Sequence, residues 1–106
     1  MIVDRVHYVA GIRDLEPASL GDAGRLAEQA EGFVWVALSD PHADELGELG
    51  AAFDLPQVSV EPRRDRHERP RLEAHGQITI LTLKTVRHAP GRPLEPGKVD
   101  ILVGGR

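Results

Sequence analysis

The sequence predicts an α/β fold in which helices pack on a mixed β-sheet. Segments with the two-residue periodicity of strands alternate along the chain with segments that have the periodicity of helices. The apolar run Phe33–Leu38 does not alternate with polar residues, which is typical of a strand covered on both faces. A chain of 106 residues, 41% hydrophobic and 28% charged, is long enough for one small core. We therefore expect a single domain over residues 1–106, with Phe33–Leu38 at the centre of its sheet.

The N-terminal segment predicts a β-hairpin. Ile2–Val9 is a strand pattern that places Val6 and Tyr8 on one face. An Ala-Gly pair at residues 10–11 suits a turn, and Ile12–Leu15 suits the return strand.

A first helix is predicted between this hairpin and the apolar run. Ser19 can cap its N-terminus, and Gly32 can end it. Four apolar residues then share one face of the helix: Leu20, Ala23, Ala27 and Ala30.

A second helix is predicted directly after the apolar run. Asp40 can accept hydrogen bonds from the first free amides of a helix, and Pro41 fits the first helical position. The helix is therefore expected to begin at Pro41, and its buried stripe is formed by Leu46, Leu49 and Phe53.

The C-terminal half is predicted to be mostly β-structure. A short apolar segment, residues 58–60, precedes a charged segment over residues 61–69. Three strands follow, over Arg71–His75, Ile78–Arg87 and residues 99–103. A Gly-Gln turn at residues 76–77 predicts that the first two are an antiparallel pair, and the prolines of residues 88–98 predict a loop before the third.

Composition excludes several classes of function. The chain has no cysteine, so it can form neither a disulfide nor a thiolate metal site. Its net charge of -4 argues against a nucleic-acid partner. The longest apolar runs, residues 33–38 and 78–83, are far shorter than the ~20 residues that cross a bilayer, and no signal-peptide pattern follows Met1. We therefore expect no membrane segment in this chain, and the lack of cysteine is compatible with an intracellular location.

A set of residues in the middle of the chain forms an ordered motif. Its members are Trp35, Asp40, Pro41, Phe53, Arg69, Pro70, Leu72 and Glu73. Their order and spacing resemble the cytoplasmic N-terminal domain of CorA-type magnesium and cobalt transporters. In that family a Trp-containing strand, an acidic-Pro helix start, a helix ending in Phe and an Arg-Pro-Lys-Leu-Glu strand follow one another.

The resemblance implies a regulatory domain that does not itself conduct ions. In the family, this domain precedes stalk helices and two transmembrane helices with a Gly-Met-Asn signature, and the subunits form a pentamer. The expected role is therefore to contribute subunit contacts and metal-dependent gating to a full-length Mg²⁺ or Co²⁺ transporter, which contacts the membrane only through downstream helices. The alternative is a stand-alone binding or assembly domain, derived from CorA, with no transport role.

The resemblance also implies one candidate metal ligand, Glu61. In the family, a Glu-Asp pair at this point lies near regulatory Mg²⁺ sites between subunits. Pro62 stands where the aspartate is usual, and a proline side chain has no ligand atom. We therefore expect this chain to bind Mg²⁺ weakly or not at all, although the full-length parent would use it.

Other candidate sites have simpler interpretations. The arginines of residues 63–71 are interleaved with acids, which predicts a solvated, partly self-paired segment. Asp40, His42 and Asp44 form the best histidine cluster, but the start of a helix explains them. No nucleophile has an identifiable base and no glycine-rich loop opens a helix, so no enzymatic activity is predicted.

The terminal strand predicts self-association. In the resembled family a further strand follows residues 99–103, so we expect an edge here that could pair with another chain to form a dimer.

Overall fold

The computed structural model describes residues 1–29, 31–56 and 69–105 and contains two compact units. The first unit lies within Met1–Pro62 and the second within Arg63–Gly105. The fold is α/β, as predicted, with two helices and six strands in the described residues. The strands form two three-stranded sheets in which every described pairing is antiparallel. The prediction of one mixed sheet is therefore wrong.

The first sheet is centred on strand β1 (Ile2–Val9). Strands β2 (Ile12–Leu15) and β3 (Phe33–Leu38) pair with it in the order β2-β1-β3. The adjacent residues Val6 and His7 point to opposite faces and are 0% and 3% exposed. β1 is therefore the strand that is covered on both faces.

Strand β3 lies at an edge of this sheet, which corrects the prediction that it is central. Its bounds are as predicted, but Phe33 and Trp35 are 45% and 47% exposed. The Phe33 ring stacks on Tyr8 of β1, with ring centroids 5.2 Å apart. The apolar run thus reflects aromatic packing along an edge strand.

The N-terminal hairpin is confirmed. Ala10 and Gly11 both have positive φ, 53° and 76°, and Val9 pairs with Ile12 across them. Two consecutive residues with positive φ form the type of turn whose twist matches a two-residue hairpin.

Helix α1 (Leu20–Gln29) is confirmed together with its cap. The Ser19 hydroxyl accepts a hydrogen bond from the Asp22 amide at 3.1 Å, and Leu20 and Ala23 are buried. The predicted face also included Ala30, which lies outside the described residues. The chain leaves the helix region through Gly32 at φ 87°, where a Cβ would lie 1.9 Å from the Tyr8 carbonyl oxygen.

Helix α2 (Ala43–Phe53) begins later than predicted. Its N-cap is His42, whose amide donates to the Glu45 carboxylate at 3.1 Å. Asp40 has φ 44° and turns the chain before the helix, so it does not cap it. The acidic residue that accepts a hydrogen bond at the helix start is therefore Glu45, within the first turn, and not Asp40 before the helix.

The two helices pack against each other at a glycine. A Cβ on Gly24 of α1 would lie 2.1 Å from the carbonyl oxygen of Ala52 in α2. α1 also contacts β1 and β3, so it lies between the sheet and α2. The predicted stripe of α2, Leu46, Leu49 and Phe53, is half-buried.

The second sheet is an antiparallel meander of β4 (Arg71–His75), β5 (Ile78–Arg87) and β6 (Glu95–Val103), in that order. The predicted β4–β5 pair is confirmed. β6 begins earlier than predicted, because the long strand β5 supplies partners as far as Arg87, which pairs with Glu95. Pro96 is accommodated within β6 because β6 is an edge strand in the described part of the chain. The predicted strand over residues 58–60 lies outside the described residues.

The two faces of the second sheet differ in character. Ile80 and Thr82, both on one face of β5, are 2% and 0% exposed. The other face carries aliphatic side chains with substantial exposure: Leu72, Leu83, Val99 and Val103.

Candidate functional site

The motif residues of the first unit lie along β3 and α2. Trp35 is in β3 and pairs with Val6 of β1. Asp40 and Pro41 are exposed residues of the connection before α2, and Phe53 is the half-buried last residue of that helix. These side chains follow the path of the chain and do not converge on a common point in the described contacts.

The motif residues of the second unit lie at the start of its sheet. Arg69 and Pro70 are exposed and immediately precede β4, while Leu72 is 69% exposed. Glu73 is half-buried, and its carboxylate lies 3.3 Å from Arg71 Nε and 3.6 Å from His75 Nε2. Glu73 is thus held by side chains of its own strand.

Glu61, the predicted metal ligand, lies outside the described residues together with Pro62 and most of the arginine-rich segment. In the part of the chain that the structure describes, no group of three or more His, Cys, Asp or Glu side chains could hold a metal ion. The side chain of Pro62 has no ligand atom, so Glu61 lacks the acidic neighbour that completes the pair in the resembled family.

A polar junction that the motif did not indicate links the N-terminus to α2. The Met1 amino group donates to the Ser39 carbonyl oxygen at 2.7 Å and to Glu45 Oε1 at 2.8 Å. The hydrogen bond from this amino group, followed by that from the His42 amide, lowers the pKa of Glu45 below its ordinary value of 4.5. The Met1 amino group thus links the residue after β3 to Glu45 at the start of α2.

A second junction is centred on the buried His7. Its Nδ1 lies 3.1 Å from Asp14 Oδ2, and its Nε2 lies 2.7 Å from the Glu31 carbonyl oxygen. A ring nitrogen that carries a proton donates a hydrogen bond to the oxygen that it faces. The His7 ring connects β1 to β2 and to the residues after α1.

A shallow groove of about 520 Å³ lies beside α1 in the first unit. Leu15, Pro17 and Leu26 line it with the ion pair of Asp22 and Arg25. The Arg25 guanidinium is paired with a carboxylate of its own helix, and Glu16 adds a further acidic side chain to the lining.

On the face of the second sheet that bears Thr82, three polar side chains of β5 and β6 contact one another. The hydroxyl of the buried Thr82 donates to Asp100 Oδ1 at 2.8 Å, and Lys98 Nζ lies 3.5 Å from Asp100 Oδ2. These two contacts hold Asp100 and Lys98, which carry opposite charges, in place on the edge strand β6. The exposed aliphatic side chains Leu83 and Val99 lie on the opposite face of this sheet.

No protein-family model matches the chain, and no curated protein matches it either. Neither helix of the described residues combines the length and apolar character required to span a bilayer.

Proposed function

We propose that this chain is a cytoplasmic regulatory domain of a CorA-like divalent-cation transporter, in which it provides subunit contacts. The observation that carries the proposal is the order of the motif residues on the elements. Trp35 lies in a strand, Phe53 ends the following helix, and Leu72 lies in a strand preceded by Arg-Pro. This is the order of the resembled family.

The role proposed for this chain is packing, and metal-dependent gating belongs to the full-length parent. Glu73 is engaged with its neighbours on β4, and Pro62 removes one carboxylate from the resembled metal pair. Mg²⁺ retains most of its water and binds through few carboxylates, so the loss of one weakens a site strongly.

The decisive test of the transporter proposal is the gene downstream of the codon for Arg106. Stalk helices followed by two transmembrane helices with a Gly-Met-Asn stretch would support the proposal. A stop codon at this point would contradict it.

Calorimetry tests the proposed weakness of metal binding. We expect no saturable Mg²⁺ binding by this chain below roughly millimolar concentration, because Glu61 lacks its acidic neighbour. Glu61→Gln is the matched control and should give the same titration. A saturable submillimolar site that Glu61→Gln abolishes would contradict this expectation.

A stand-alone binding or assembly domain is the second candidate function. The exposed aliphatic side chains of the second sheet favour it, because contiguous apolar surface often marks a contact with another protein. A natural stop codon after Arg106, together with stable self-association, would favour this candidate over the transporter domain.

A further inference from the structure

Strand β6 presents an open edge in the second sheet. It has nine residues, and its one partner among the described strands is β5. The amides and carbonyls along the other side of such a strand can pair with a strand of another molecule.

Pro96 indicates which residues of β6 face outward. A proline is tolerated in an edge strand when its nitrogen faces away from the existing ladder, since it has no N–H to donate. Backbone groups alternate in direction along an antiparallel strand. The backbone groups of Lys98, Asp100 and Leu102 therefore point outward, on the same side as Pro96.

The side chains near the middle of β6 are self-complementary. Lys98 and Asp100 flank Val99 and carry opposite charges on the same face of the sheet. Asp100 is fixed in place, because its Oδ1 accepts a hydrogen bond from the buried Thr82.

We infer that two copies of the chain associate by antiparallel pairing of β6 with β6, about a two-fold axis at Val99. In this register, Lys98 of each copy lies opposite Asp100 of the other, which gives two attractive cross-strand pairs. A shift that places Asp100 opposite Asp100 brings like charges together. A lysine on an edge strand usually discourages pairing, whereas here it selects one register.

The apolar face supports the same pairing. Val99 and Leu83, which pair across β5 and β6, are 43% and 40% exposed on that face. Pairing at Val99 brings the two copies of this side chain into contact and joins the apolar faces into one surface. β4 is the other edge, but it has only five residues, so it offers fewer backbone bonds.

Cysteine cross-linking tests the position of the axis. The chain has no cysteine, so a single introduced thiol reports one site. In the proposed register the two copies of Val99 form a non-hydrogen-bonded pair, whose Cα atoms lie roughly 4.5 Å apart, within the range of about 4.4–6.8 Å that a disulfide spans. We expect Val99→Cys to form a covalent dimer under mild oxidation, and Leu72→Cys, an exposed position on the same face of the sheet in β4, to remain largely monomeric. Cross-linking at Leu72→Cys instead of Val99→Cys would overturn the inference.

Charge reversal tests the register. Lys98→Asp and Asp100→Lys each place like charges opposite one another, so each should weaken dimer formation roughly tenfold in sedimentation equilibrium. An equimolar mixture of the two variants restores both attractive pairs and should form a heterodimer. This outcome also shows that both variants are folded. Variants that dimerise as strongly alone as mixed, or wild-type chain that remains monomeric at high concentration, would overturn the inference.

The inference does not rest on the proposed transporter function, because strand pairing requires no cation. All measurements are therefore made with a chelator present. Loss of dimer formation would leave the downstream-gene test unchanged, and a stop codon after Arg106 would leave the pairing unchanged.

Discussion

The two sheets of this chain have the same number of strands and the same antiparallel pairing, but they differ in what covers them. In the first, Val6 and His7 are buried on opposite faces of the central strand, and α1 adds the buried residues Leu20 and Ala23. In the second unit, no helix is found among the described residues, and its most buried residues, Ile80 and Thr82, share one face.

This difference separates the roles of the two sheets. The first sheet, against which α1 packs, buries a side chain on each face of its central strand, apolar Val6 on one and hydrogen-bonded His7 on the other. In the second sheet, the described residues leave aliphatic side chains of one face exposed. Leu83 and Val99 pair across β5 and β6 on this face, so a partner that contacts it would bury adjacent aliphatic side chains.

The largest expected effect comes from breaking the helix packing of the first unit. Gly24→Ala should lower its free energy of unfolding by about 1–3 kcal/mol, because the added Cβ overlaps the backbone of Ala52. Denaturant unfolding followed by the fluorescence of Trp35, the single tryptophan, measures this change.

Gly21→Ala is the matched control in the same helix. A Cβ at position 21 meets only the Ser19 hydroxyl at 3.7 Å, so this change should stabilise the helix by up to ~1 kcal/mol. Equal effects of the two substitutions would show that helix contact does not determine the stability of the first unit.

The second-largest effect is expected in the second sheet. Thr82→Val should destabilise the second sheet by about 1 kcal/mol, because Asp100 loses a hydrogen bond from a buried donor. All four aromatic residues lie in the first unit, so amide hydrogen exchange in β5 and β6 is the suitable measurement.

The exposed Thr85, on the other face of β5, provides the control for this prediction. Thr85→Val should change exchange protection by less than about 0.5 kcal/mol. Unaltered exchange in Thr82→Val would indicate that the Thr82–Asp100 bond does not support the sheet.

Elements specified by adjacent residues were predictable from the sequence. The Ala-Gly turn and the Ser19 cap act over two to four residues, so the hairpin and α1 follow from local chemistry. The β4–β5 pair is also specified by adjacent residues, because a two-residue turn at residues 76–77 joins the strands.

Features that depend on distant partners were not predictable in this way. An uninterrupted apolar run can form a central strand, but it can also form an edge strand whose aromatic ring stacks on the neighbouring strand. The sequence does not distinguish these cases, so the position of β3 in the sheet was predicted wrongly. The start of α2 depends on Glu45 within the helix, and the start of β6 depends on the length of β5.

The candidate site also contains residues that local sequence locates and contacts between distant residues that it does not predict. The motif residues could be located by their letters, whereas the association of Met1 with Glu45 spans 44 positions and has no local pattern. The Lys98–Asp100 alternation was visible in the sequence, but its meaning required knowing that β6 is an edge.

The smallest expected effect is at the exposed junction between Met1 and α2. Because the pKa of Glu45 is lowered in the folded chain, its contribution to stability is complete above the ordinary value of 4.5 and is lost as the pH falls through the lower folded-state value. Wild-type chain should therefore lose more stability than Glu45→Gln between about pH 6 and about pH 3, as measured by Trp35 fluorescence. Glu48→Gln, an exposed substitution on the same helix, should retain the wild-type pH dependence. If Glu45→Gln and wild-type chain had parallel pH profiles, the N-terminal junction would not stabilise the first unit, and its helix packing would be the remaining difference from the second.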